Sequence, residues 1–115
     1  MKLVALAAIV AALIVPGAFA SSAATTLNGT DGPGFTITLK KGTTKVTKLK
    51  AGSYVIKVAD KSNIHNFHLK GPGVDKKTGV GFQGSTTWTV KLKAGKYTYV
   101  CDPHSSFMKG SFTVS

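Results

Sequence analysis

The sequence predicts an all-β fold, a Greek-key sandwich of about seven short strands. Three observations point there. Apolar residues alternate with polar ones at period two in a series of short runs. Turn signals rich in Gly, Pro, Asn and Asp punctuate those runs about every eight to twelve residues. Past the first twenty residues, no run carries an amphipathic helical stripe. The chain has 115 residues, which sets one small domain as the expectation.

Residues 1–20 read as a secretory signal peptide. Met1-Lys2 is a short basic start, Leu3 to Val15 is apolar, Pro16-Gly17 breaks the run, and Ala18-Phe19-Ala20 is a small-x-small cleavage site. The apolar run is too short to cross a membrane comfortably, so no membrane span is expected after cleavage. Residues 21–34 are small and polar, with Gly29, Gly32, Pro33 and Gly34, and read as a flexible lead-in. The folded domain is expected over residues 35–115. A mature chain of that size buries roughly 60–65% of its unfolded surface, enough for one thin core.

Phe35, Ile37 and Leu39 alternate with threonines and predict the first half-buried strand. Thr43 to Leu49 is a weaker strand between turns at Lys40-Lys41-Gly42 and Ala51-Gly52. Tyr54, Ile56 and Val58 share one face of the next. In Ile64 to Lys70, His65, Phe67 and Leu69 share one parity, and Ile64, Asn66 and His68 the other. The first set is the more apolar, so His65 is expected to point inward and His68 outward. Val74 to Gly84 is a glycine-rich loop. Trp88, Val90 and Leu92 mark another strand, Ala94-Gly95-Lys96 a hairpin turn, and Tyr97, Tyr99 and Cys101 one inward parity. Phe112 and Val114 close the chain.

Chemistry concentrates in Tyr97 to Gly110. Cys101, His104 and Met108 stand at the spacing C-x2-H-x3-M, and Cys101 is the only cysteine. Thiolate and thioether favour Cu(I), imidazole suits copper in either state, and two His, one Cys and a weak axial Met make a blue-copper site. His65 is the candidate for the second imidazole. Bland readings stand beside each: a small buried hydrophobe for Cys101 and a gap-filler for Met108, a surface residue for His104, a core histidine for His65. A lone thiol in an exported chain is a liability unless a metal holds it.

These residues resemble the small cupredoxins, the plastocyanin, azurin and amicyanin group. His65-Asn66, Cys101, His104, Met108, Gly110 and the last strand Ser111–Val114 match the family's order over about residues 33–115. The x3 spacing before Met108 falls between the plastocyanin-like x4 and the amicyanin-like x2. The resemblance implies one copper ion cycling between Cu(I) and Cu(II), held by His65, Cys101, His104 and Met108. It implies that Asn66 lies behind the ligands and ties the two ligand segments together. His68 is expected at the surface. It also implies a carrier of single electrons rather than an enzyme, with an apolar rim at Pro103 and Phe107.

All fifteen basic residues are Lys, against four Asp, for a net charge of +11. Such a surface speeds encounter with an acidic partner. Export, absent Arg and scattered lysines argue against nucleic acid. The expectation is therefore a monomer, secreted, periplasmic or held at the cell envelope, that meets redox partners through their acidic surfaces. The alternatives are a copper storage or delivery protein using the same ligands, and a metal-free module for adhesion or assembly. No acid stands at a spacing that would make Ser105 or Ser106 a nucleophile beside His104.

Overall fold

Period-two alternation does build the core. In the computed structural model, which describes residues 23–115, ten strands form two five-stranded sheets packed as a sandwich. The strands are β1 (Thr25–Asp31), β2 (Ile37–Lys41), β3 (Thr44–Lys45), β4 (Lys48–Leu49), β5 (Gly52–Asp60), β6 (His68–Gly71), β7 (Val74–Lys77), β8 (Gly84–Leu92), β9 (Gly95–Val100) and β10 (Lys109–Val114). One sheet runs β3-β2-β1-β5-β8 and the other β4-β10-β9-β6-β7. Two of the pairings are parallel, β1 with β5 and β4 with β10. The residues read as a signal peptide lie outside the described part. Among the described residues no helix is long and apolar enough to cross a membrane.

The facing sides supply the core. Tyr54, Ile56 and Val58 of β5, Val90 and Leu92 of β8, Tyr97 and Tyr99 of β9, and Phe112 and Val114 of β10 are all buried. Aromatic rings fill its middle. Phe67 stacks on Tyr99 with centroids 5.6 Å apart, and Tyr97 stacks on Phe112 at 5.3 Å. The Tyr97 hydroxyl accepts from the Lys93 N–H at 3.0 Å and faces the Lys93 carbonyl at 2.9 Å, so its polar end is satisfied.

Five expectations are corrected. The stretch read as a flexible lead-in contains β1, a central strand paired on both sides. Its inward positions are Leu27, Gly29 and Asp31, so it shows no apolar alternation in sequence. Gly29 is there for room: a Cβ would meet the Phe67 ring at 2.9 Å. The weak strand at 43–49 is two two-residue strands, and the loop at 74–84 opens with β7. The expected strand from Ile64 begins only at His68. Phe35 precedes β2 and is 58% exposed, so it lies outside the core.

The β1–β5 register sets Asp31 beside Asp60, both buried. Asp60 accepts hydrogen bonds from Ser62 N–H at 3.3 Å and Thr78 Oγ1 at 2.9 Å. Neither oxygen of Asp31 has a donor. Burial first, then the neighbouring Asp60, pushes the Asp31 carboxyl up to about 8. A protonated Asp31 can donate to Asp60, which two carboxylates cannot do. The folded state therefore holds this proton more tightly than the unfolded chain. The stability it contributes is present below the ordinary carboxylate value and is lost as pH rises through about 8. Thermal melts of the metal-free protein from about pH 4 to about pH 9 should show this loss, and Asp31→Asn should flatten it. Equal slopes for the two proteins would show that Asp31 keeps no proton.

Candidate metal centre

The loop after β9 is closed by its own backbone. Cys101 follows the inward parity of Tyr97 and Tyr99 and is fully buried. A short 3-10 turn, Asp102–His104, follows, with Pro103 in its first turn. His104 N–H donates to the Cys101 carbonyl at 3.0 Å, and Met108 N–H to the His104 carbonyl at 2.8 Å. Cys101 N–H donates to the Met108 carbonyl at 3.0 Å, where β10 begins. Three sequence-predicted site residues thus sit on one hydrogen-bonded loop, and Met108 within it is buried.

His65 reaches the site from a segment that is not a strand. Residues 65–67 are all buried, so parity does not govern them. Other groups satisfy their backbone. Thr78 exchanges bonds with Phe67: its Oγ1 accepts from Phe67 N–H at 2.9 Å, and its N–H donates to the Phe67 carbonyl at 3.0 Å. Asn66 spans to the Cys101 loop. Its Oδ1 accepts from Asp102 N–H at 2.7 Å, and its Nδ2 donates to Asp102 Oδ2 at 2.8 Å and the Thr78 carbonyl at 3.1 Å. Its N–H points at Cys101 Sγ, 3.5 Å away.

These supports bring three donor atoms together. His65 Nδ1 and His104 Nδ1 are 3.1 Å apart, and Cys101 Sγ lies 3.7 Å and 3.5 Å from them. Among the described residues this is the one group of His, Cys and acid side chains that could hold a metal ion. Two imidazole nitrogens and the cysteine sulfur, each able to offer a lone pair, face one another here. A triangle with these edges has a centre about 2.0 Å from every corner, close to ordinary metal–nitrogen distances. With Met108 buried on the same loop, this donor set suits one copper ion. His65 Nε2 is buried without a partner.

His68 is the clear correction. It is buried rather than outward, and both ring nitrogens meet carboxylates. Nδ1 lies 2.9 Å from Asp102 Oδ1, and Nε2 lies 2.6 Å from Asp75 Oδ1. Partial burial pushes the Asp102 carboxyl up, but hydrogen bonds from His68 and Asn66 outweigh this and hold it below the usual range. The His68 contact likewise holds the Asp75 carboxyl low. His68 therefore braces Asp102, which braces Asn66.

Phe35 also escaped the sequence pattern. Its ring meets His65 and His104 edge-on at 5.2 Å and 5.1 Å, and lies 5.8 Å from Phe107. Phe35, Phe107 and Ile64 are each more than half exposed, so they form an apolar roof on the donor cluster. Its alternation with Ile37 and Leu39 disguised it as a core residue. Asp102 and Thr78 carry no sequence signal, because their partners lie far along the chain.

Asn66→Ala removes three side-chain hydrogen bonds, with the Asp102 N–H, the Asp102 carboxylate and the Thr78 carbonyl. The metal-free protein should lose about 1–3 kcal/mol in denaturant unfolding. Copper affinity should fall about 10–100-fold in a competition titration. Unchanged affinity would mean that the loops hold their positions without this amide.

No curated protein matches the chain by sequence. The solved structure of reduced rusticyanin matches with TM-score 0.59 and 23% identity over 82% of each chain. A structure described as the copper protein rusticyanin matches with TM-score 0.60 and 21% identity, over 83% of this chain and 80% of its own. Rusticyanin from Thiobacillus ferrooxidans gives TM-score 0.57 and 23% identity, over 83% and 79%. At these identities the likeness is one of fold. The model of the cupredoxin-like domain matches residues 5–114, nearly the full length. The chain belongs to the family of cupredoxin-like domains.

Proposed function

We propose that this protein is an exported mononuclear blue-copper protein that carries single electrons between redox partners. The observation that carries the reading is the triangle of His65 Nδ1, His104 Nδ1 and Cys101 Sγ, with edges of 3.1–3.7 Å. His65, Cys101, His104 and Met108 would hold the ion. A bound copper ion supplies a one-electron couple.

The protein's part is to keep the donors still. Cys101, His104 and Met108 are tied by the closed loop, and His65 by Thr78 and the Asn66–Asp102 bridge. A frame held this way resists the ligand movement that a change of charge would otherwise provoke, and such support is what metal sites depend on. His65 is buried whereas His104 is half-buried, so the His104 side, beneath Phe35 and Phe107, is the accessible one. The reading assigns no catalytic residue: the Asp102 carboxylate meets His68 rather than His104, leaving Ser105 and Ser106 without an oriented base. The leader-like residues 1–20 support export to the periplasm, envelope or medium, and the lysine-rich surface supports acidic partners. The protein is proposed to work as a monomer.

Cu(II) titration followed by visible absorption and EPR tests this directly. One equivalent should give an intense thiolate-to-copper band, and Cys101→Ser should abolish it. Tight binding with a pale spectrum would move storage or delivery ahead of electron transfer. No binding would reduce the likeness to one of fold.

A further inference from the structure

All four acids of this chain are already engaged. Asp31 and Asp60 are buried against each other, and Asp75 and Asp102 are taken by His68. Among the described residues no lysine forms a salt bridge, since both ion pairs found there belong to His68. The fourteen lysines after Lys2 face solvent, and none of them is held in a salt bridge within the chain.

Some of them converge. Tyr97 and Tyr99 turn inward on β9, so Lys96, Thr98 and Val100 line its outer face. On β10, the inward Phe112 leaves Lys109 and Ser111 outward, opposite Val100 and Thr98. Lys45 reaches the same place from β3 of the other sheet. Together these residues line a cleft of about 490 Å³. An adjoining hollow of about 350 Å³ shares Lys45 and adds Lys41 and Lys48. Neither has an acidic residue in its lining. The cleft also runs up to the metal loop: Val100 is bonded to Cys101, and Lys109 to Met108.

We propose that this cleft is the docking site for an acidic segment of the redox partner, a carboxylate-bearing stretch of polypeptide that lies along β9 and β10. The inference rests on the electron-carrier reading for the partner's role but not for its binding. Like charges gathered in one concavity repel each other, and a row of carboxylates relieves that repulsion while ammonium groups and the Thr98 and Ser111 hydroxyls supply donors. The apolar roof at Phe35 and Phe107 offers no charge, so orientation falls to the cleft. Charged surfaces of this kind set encounter rate and register more than raw affinity.

An octaglutamate peptide is the probe, titrated calorimetrically at low salt into metal-free and copper-loaded protein. Lys45→Glu/Lys96→Glu is compared with Lys57→Glu/Lys91→Glu, which changes the net charge equally on exposed strand positions of the first sheet. The cleft variant should bind about tenfold more weakly than the control variant, with or without copper. Equal weakening in the two variants would overturn the proposal, leaving net charge alone as the attraction. Failure of the unaltered protein to bind would overturn it too. If the copper reading fails, the blue band is missing while the peptide result stands, so the two failures are separable.

Discussion

Asn66 spans the gap between the two parts of the donor cluster. One side chain accepts from the Asp102 backbone, donates to the Asp102 carboxylate and donates to the Thr78 carbonyl. Its own N–H faces the Cys101 sulfur. This domain has no disulfide. The relative position of His65 and Cys101 therefore depends on a few buried polar contacts. Buried polar groups that are fully satisfied hold one arrangement, because any other leaves donors or acceptors unpaired in a low-dielectric interior.

The bracing continues outward and inward. Outward, His68 binds Asp102 and Asp75, joining the ligand loop to β7. Inward, Thr78 bonds Asp60, which neighbours Asp31 across the first sheet. One chain of contacts thus runs from an exposed carboxylate on β7, through the donor cluster's support, to a buried acid pair. Its members differ in charge state for physical reasons. Asp102 and Asp75 meet a donor ring and stay ionised, whereas Asp31 meets another acid in a buried place and holds its proton.

This use of acids also shapes the exterior. With every carboxylate set in the interior or against His68, no lysine among the described residues forms an ion pair. Surface charge in this protein is therefore available for a partner, and the fold gathers part of it in a cleft beside the metal loop.

Much was legible in the chain by itself. Period-two runs at Tyr54–Val58 and Tyr97–Cys101 specified strands and their inward faces, since a side chain's face follows from its parity wherever the backbone is extended. The spacing of Cys101, His104 and Met108 specified one donor loop, because so short a segment must bring them near each other. Parity failed where extension failed. Residues 64–67 are not a strand, so Asn66 came to be buried against the rule; His68, at the start of β6, is instead held in by Asp102 and Asp75, and Phe35 came to cover the cluster rather than fill the core. β1 was hidden because, beside Leu27, its inward positions are a glycine fitted to Phe67 and a protonated acid rather than an apolar row. Only the tertiary structure decided the partners of Asn66, His68 and Asp31. Those pairings join residues distant in sequence, and no local pattern encodes a contact whose reason is a neighbour brought in by the fold.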